Sequence, residues 1–443
     1  PPSIIPINHR PSLAPPAPRS STSPVRRSCL RKSLAPAKAR FSFVHSLLAC
    51  MRVCTLHFLG EFRSISMNII SKIMKGSAIV KSSPLPIAGP YPTLDPFLFC
   101  VYHKDDYPPD ESGGKMETLF PGNGSDFNPH APYRMYHGDK VPGFPQHPHR
   151  GFETITATNV GLIDHADSVG NAGRYGEGDV QWMTAGDGVV HGEMFPLVFA
   201  SKPNHTKFFQ LWLNLPAKSK KVEPCFAMFW SNDVPVYKSE NGNVSIAVWA
   251  GDYFLEQGHD DEKQKQNSPP PDSWAADPEN DVAVLHITIR PGGKLVLPKA
   301  NKSNGSTINR TMYLIEGHTN GVEVDGKVLG EKVYLEMDAT KDVVIEIPSI
   351  DTTSQQQSTE FLLLQGKPIN EPVAQHGPFV MNTRAEIQEA FRDYQRTKFG
   401  GWPWPRDDMI FPRDKGRFAL INGKETRPSS SSLDDVEKKE DEL

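Results

Sequence analysis

Two short pairs of residues constrain this chain more than any other feature: His147-Pro148-His149 and His191-Gly192-Glu193. Each places two metal-binding side chains at positions i and i+2. In an extended strand such residues point to the same face, so each pair can aim both groups into one cavity. If the two strands lie side by side, the four groups converge on one metal ion. Three imidazoles and one carboxylate suit Fe(II), and also Mn, Ni, Cu or Zn. Four ligands would saturate a tetrahedral structural zinc; on an octahedral ion they leave two positions for substrate or dioxygen. The bland alternative for any lone His pair is a surface or satisfied core position. Here two pairs occur together, each in a strand–turn setting. His165 lies outside the pattern and is read as a non-ligand, and His130 and His137 as loop residues.

The rest of the chain supplies strands to carry such a site. Gly (34) and Pro (41) are abundant for 443 residues, which suits many short strands joined by turns. Thr154, Thr156 and Thr158 alternate with Ile155 and Ala157, the period of a strand. Phe97–Val101, Val180–Met183 and Phe208–Pro216 read as further strands. A second strand-rich half follows, at Ser245–Ala250, Val282–Ile289, Lys294–Leu297, Met312–Ile315, Val333–Met337, Val343–Ile347 and Phe361–Leu364. Regular short strands at this spacing predict a sandwich or barrel. One helix is signalled: Thr383 with Glu386 forms a capping box, and Ile387, Ala390, Phe391 and Tyr394 make one apolar stripe.

The ends read differently. The first 66 or so residues are rich in Pro, Ser and basic side chains, with Glu61 their sole acid. Three readings stand: a disordered extension ahead of a start at Met51, Met67 or Met74, an organelle transit peptide, or a secretory signal around Phe41–Cys54, interrupted by His45 and Arg52. The C-terminal residues are Ser-rich and then acidic. Glu440-Asp441-Glu442-Leu443 partly resembles an ER-retrieval signal but lacks its leading Lys or His. Sequons at Asn123, Asn204, Asn243, Asn301, Asn304 and Asn309 matter only in a secreted protein. The net charge of −4 gives no reason to expect direct nucleic-acid binding. Five scattered cysteines imply no disulfide framework, and no apolar run approaches the ~20 residues of a membrane span.

At the metal-binding pairs the chain resembles the cupin superfamily, and within it the pirin family. His147, His149, Glu153 and Gly161 follow the first cupin motif with one extra residue before the last Gly; Val141 stands near the place of its first Gly. The second motif is degenerate, with Gly178 and Gly186 kept and His191 two places late. The pirin likeness is more specific. It runs through Gln146–Thr154, Asp167–Asn171, Gly178–Gly186, His191–Met194, Gln210–Pro216 and Gly377–Thr383, and on to Gly400–Pro405 and Pro412–Phe418.

This resemblance implies an all-β bicupin: two jelly-roll-like β-barrels packed face to face, with a short C-terminal helix and metal in the first barrel alone. The implied domains are a basic extension (1–73), the metal-binding cupin (74–225), inter-barrel strands (226–256), a polar insert (257–280), a second cupin without ligands (281–382), a helix and tail (383–425) and an acidic end (426–443). The implied ligands are His147, His149, His191 and Glu193, on Fe(II). Glu153 then becomes a near-site acid rather than a ligand. The implied activity is quercetin 2,3-dioxygenase-type: a flavonol hydroxyl binds the metal as its anion, dioxygen adds to the ring, and carbon monoxide leaves. Glu193, or failing that Glu153, would take the hydroxyl proton. Gln181, Trp182 and Met183 are candidates to flank the cavity, and Arg150 to make a structural ion pair or orient a substrate anion. The family also implies a rival, a redox-sensitive co-regulator that binds a transcription factor. A monomer in cytoplasm or nucleus is expected, with organelle or ER as the alternative.

Overall fold

The computed structural model describes residues 76–252, 268–300, 308–317, 321–349 and 358–429. The basic extension, the first part of the polar insert (to 267) and the acidic end from 430 fall outside them. The described residues all belong to one unit.

The first ten strands are β1 (Ile79–Pro84), β2 (Phe97–Tyr107), β3 (Gly143–His149), β4 (Phe152–Val160), β5 (Leu162–Asp167), β6 (Ala172–Gly176), β7 (Val180–Thr184), β8 (Val189–Met194), β9 (Asn204–Asn214) and β10 (Cys225–Phe229). Then come β11 (Val236–Lys238), β12 (Val244–Ala250), β13 (Ala283–Ile289), β14 (Lys294–Leu297), β15 (Asn309–Glu316), β16 (Glu323–Val324), β17 (Lys327–Val328), β18 (Val333–Asp338), β19 (Val343–Glu346) and β20 (Thr359–Gly366). The C-terminal segment adds β21 (Ala374–His376), β22 (Phe379–Met381), helix α1 (Arg384–Thr397), β23 (Phe418–Ile421) and β24 (Lys424–Thr426). The capping box that starts α1 is formed as expected, with Thr383 and Glu386 satisfying each other's backbone N–H groups.

The first barrel is a five-stranded sheet, β10-β7-β4-β9-β2, against a six-stranded one, β24-β23-β6-β5-β8-β3. The second is a seven-stranded sheet, β1-β18-β15-β20-β13-β12-β11, with a four-stranded one, β14-β19-β16-β17. The first and last described strands are thus exchanged between the barrels. β1 pairs with β18 of the second barrel, and β23 pairs with β6 of the first. Sheet pairing crosses both linear limits of the segment read as the first cupin (74–225): β1 joins the second barrel and β10, over Cys225–Phe229, the first, because pairing between distant strands decides which sheet each segment joins.

The outer face of the five-stranded sheet packs on the seven-stranded sheet. Ile155, Trp182, Phe209, Leu211 and Leu213 meet Trp249, Val284, Tyr313, Tyr334 and Leu362 in one shared core. Strand alternation then turns Thr154, Thr156, Gln181, Gln210 and Trp212 to the inside of the first barrel. The second barrel is filled with aliphatic side chains such as Leu285, Ile287, Met312, Leu335 and Leu363. Among the described residues, no helix is long and apolar enough to cross a membrane.

Candidate metal centre

β3 and β8 are antiparallel neighbours, with His147 opposite His191 and Phe144 opposite Glu193. A register shift between Phe144 and His147 marks an irregularity in β3, and such bulges re-aim side chains. His147, His149 and His191 offer ligand nitrogens that all lie within 4.8 Å of one another. His149 and His191 are buried and His147 is half-buried, so the opening lies on the His147 side.

The protons of two of these rings are fixed by their neighbours. A carbonyl oxygen can only accept, so His147 Nδ1 donates to Pro145 (2.9 Å) and His149 Nδ1 to Pro378 (3.4 Å). That leaves both Nε2 atoms as lone pairs, 3.1 Å apart. Two lone pairs at this distance repel unless a cation sits between them. Both ring nitrogens of His191 are buried and have no hydrogen-bond partner among the described residues. Backbone carbonyls that orient imidazoles from behind are the usual support of metal-bound histidines. The donor set therefore fits a divalent metal. Burial pushes the His147 imidazole down to about 4, and it pushes His149 and His191 well below the usual range, helped by the neighbouring imidazoles. All three rings are neutral, as ligands must be.

Glu193 stands on the same strand face, two residues beyond His191, but is not in the converging group. Its Oε1 accepts from Thr156 Oγ1 (2.9 Å) and Tyr175 OH (3.1 Å), and its Oε2 from Gln210 Nε2 (2.5 Å). Three of the four expected ligands are brought together; the fourth is held beside them by these donors. Burial raises its pKa. Glu153 is a clearer correction. It lies on the opposite face of β4, where Oε1 accepts from Thr184 Oγ1 (2.7 Å) and Oε2 from Ser273 Oγ (2.5 Å). The turn at Gly151 sets that facing and points Glu153 at the second barrel, so it cannot serve as a near-site acid.

The other candidates divide in the same way. Gln181 lies inside the barrel, and neither of its buried amide atoms has a partner among the described residues. Met183 packs there with Ala185 and Val189. Trp182 belongs to the inter-barrel core. Arg150 makes the structural ion pair: its guanidinium holds Asp187 (3.1 Å) and Asp393 (2.9 Å) and covers the Phe399 ring. His165 is not in the converging group, yet its ring faces His191 at 5.3 Å and is fully buried. Sequence reasoning missed Thr156, Tyr175, Gln210 and Pro378. The strand alternation at Thr156 and the Gln210–Pro216 and Gly377–Thr383 phrases were the available signals for three of them.

A family model described as Pirin matches residues 89–213, and one described as Pirin C-terminal cupin domain matches 284–400. The chain belongs to the pirin family. Each barrel is thus a cupin domain. Among pirin relatives, a pirin-like protein of Solanum lycopersicum is 34% identical over 58% of this chain and 77% of its own length. A Pseudomonas aeruginosa protein provisionally named a quercetin 2,3-dioxygenase is 33% identical, over 58% of this chain and 80% of its own. The crystal structure of quercetin 2,3-dioxygenase from Acinetobacter baumannii superposes with a TM-score of 0.52 at 26% identity, covering 73% of this chain and 96% of that one.

Proposed function

We propose that this pirin binds a single iron ion through His147, His149 and His191 and oxidises flavonol-like substrates with dioxygen, as a quercetin 2,3-dioxygenase does. The observation that carries the reading is the pair of unprotonated Nε2 atoms held 3.1 Å apart. Likeness to the solved dioxygenase and to the Pseudomonas aeruginosa relative supports the reaction class. The bound ion would supply a Lewis-acid position for a hydroxyl oxygen and open coordination positions for dioxygen. Nitrogen donors accept iron but do not select it over nickel or copper, so supply in the cell sets occupancy.

The chain's own residues do the rest. Pro145 and Pro378 carbonyls keep two rings in the tautomer that presents Nε2. Glu193 is the proton acceptor: its raised pKa brings the carboxylate nearer the affinity a general base needs. Thr156, Tyr175 and Gln210 hold that carboxylate in place. Oxygen uptake and carbon monoxide release with quercetin, on Fe(II)-loaded full chain, test the proposal. Both should vanish in His147→Ala/His191→Ala. Bound iron with no uptake would remove the dioxygenase and favour the redox-sensitive binding reading. Wild-type protein that takes no metal would remove the site itself.

A further inference from the structure

Lys220 is 1% exposed, although Lys218 and Lys221 beside it face solvent. A 3-10 turn over Ala217–Ser219, just after β9, turns it inward. Its Nζ donates to Gly151 O (2.8 Å), Asn214 Oδ1 (2.8 Å) and Val380 O (3.2 Å). Those bonds use all three ammonium hydrogens. Among the described residues no carboxylate forms an ion pair with it. An ammonium buried against neutral oxygens is unfavourable, and an apolar side chain could fill the space with less desolvation. Such a residue calls for a reason.

The three acceptors belong to three segments that meet behind the metal ligands. Gly151 begins the turn two residues after His149. Asn214 ends β9. Val380 lies in β22, in the C-terminal segment. That segment is pressed tightly on the turn: a Cβ at Gly151, whose φ is +83°, would lie 2.0 Å from Val380 O. Val380 N donates to Arg150 O (3.0 Å) and Arg150 N to Pro378 O (3.4 Å). Pro378 O is also the acceptor for His149 Nδ1. One ammonium therefore bridges two buried carbonyls, one two residues after His149 and one two residues after Pro378, whose carbonyl orients it.

We propose that Lys220 is a positioning residue for the metal centre, clamping the C-terminal segment to the turn after His149 and so fixing that imidazole. The inference rests on His147, His149 and His191 being the metal site. It links metal occupancy to docking of β22, and the linkage is reciprocal.

Co(II) titration of the full chain tests it, read by affinity and by the ligand-field absorption bands. Lys220→Met is compared with wild type and with Leu363→Ala, a core lesion in the second barrel that leaves the clamp intact. Lys220→Met should bind Co(II) at least tenfold more weakly, with altered bands, while Leu363→Ala keeps both at wild-type values. A folded Lys220→Met with wild-type affinity and bands overturns the clamp. Wild-type protein that binds no Co(II) overturns the metal site, and the clamp with it. Hydrogen exchange on wild type gives an arm that needs no variant: Co(II) should slow exchange across Phe379–Met381, and an unchanged rate there also overturns the proposal.

Discussion

Burial acts on the ionisable side chains of the first barrel in opposite directions, with opposite consequences for stability. Glu153 is fully buried, and desolvation outweighs its hydrogen bonds from Ser273 and Thr184, pushing its carboxyl up to about 7 from 4.5. The folded state then holds more protons than the unfolded chain between those values. Its contribution is complete below about pH 4.5 and lost as pH rises through 7. Glu153→Gln should remove that loss, gaining up to about 3 kcal/mol relative to wild type between pH 4.5 and 8. Co(II) affinity should stay the same, because the side chain faces the second barrel. Urea unfolding at both pH values checks this; parallel wild-type and variant curves would sink it. The histidines run the other way. Their folded pKa values lie below the unfolded ~6.5, so the metal-free protein loses stability as pH falls from there through about 4, where His147 titrates. Metal affinity should accordingly change less than about threefold between pH 8 and 6. Three imidazoles of ordinary pKa would weaken it roughly 60-fold over that interval. Isothermal titration with Co(II) at the two pH values separates these outcomes.

At the scale of elements, legibility depended on whether a signal was local. The alternation at Thr154–Thr158, the His-x-His pair and the Thr383 cap each lie within one strand or turn, and the corresponding elements formed where expected. Which face of a strand meets the metal is set elsewhere. Glu153 is four residues after His149 and matches a ligand position in the cupin motif. The left-handed turn at Gly151 intervenes, and β4 begins with Phe152 and Thr154 facing the barrel interior and Glu153 facing out. Trp182 was equally ambiguous between cavity wall and core. Its neighbours Gln181 and Met183 point inward, so alternation sends the indole between the barrels. Trp182→Ala should therefore cost about 3–5 kcal/mol of stability as a large core cavity, while Co(II) affinity of the folded variant stays within a factor of two. Thermal unfolding paired with a cobalt titration decides it, and a selective loss of metal affinity would place Trp182 at the site after all.

Across the whole molecule, the exchange of terminal strands makes each barrel depend on residues at the far end of the chain, which no local pattern could reveal. The last described strands complete the sheet that carries the metal ligands. Phe418 and Ala419 are buried against β6, and Arg417 forms a buried ion pair with Asp179 at 2.9 Å. In β6, Arg174 grips Asp164 through two 2.7 Å bonds and also donates to the carbonyls of Phe411 and Pro412, just upstream of β23. Phe411 N completes the loop by donating to Asp164 (2.8 Å). Cutting the chain after Lys415 removes β23 and β24. It leaves Asp179 as a buried carboxylate without its guanidinium, and breaking such a pair costs about 3–5 kcal/mol. The truncated protein should therefore lose stability and Co(II) affinity in the first barrel. Hydrogen exchange should rise in β6 and β5 while β13 and β20 of the second barrel stay protected. Removing residues up to Pro84 instead takes away β1, and the effect should move to β18 with the metal site intact. Equal effects of the two truncations on Co(II) affinity would show that the barrels unfold as one cooperative body, and that the exchanged strands do not act on their adopted barrels alone.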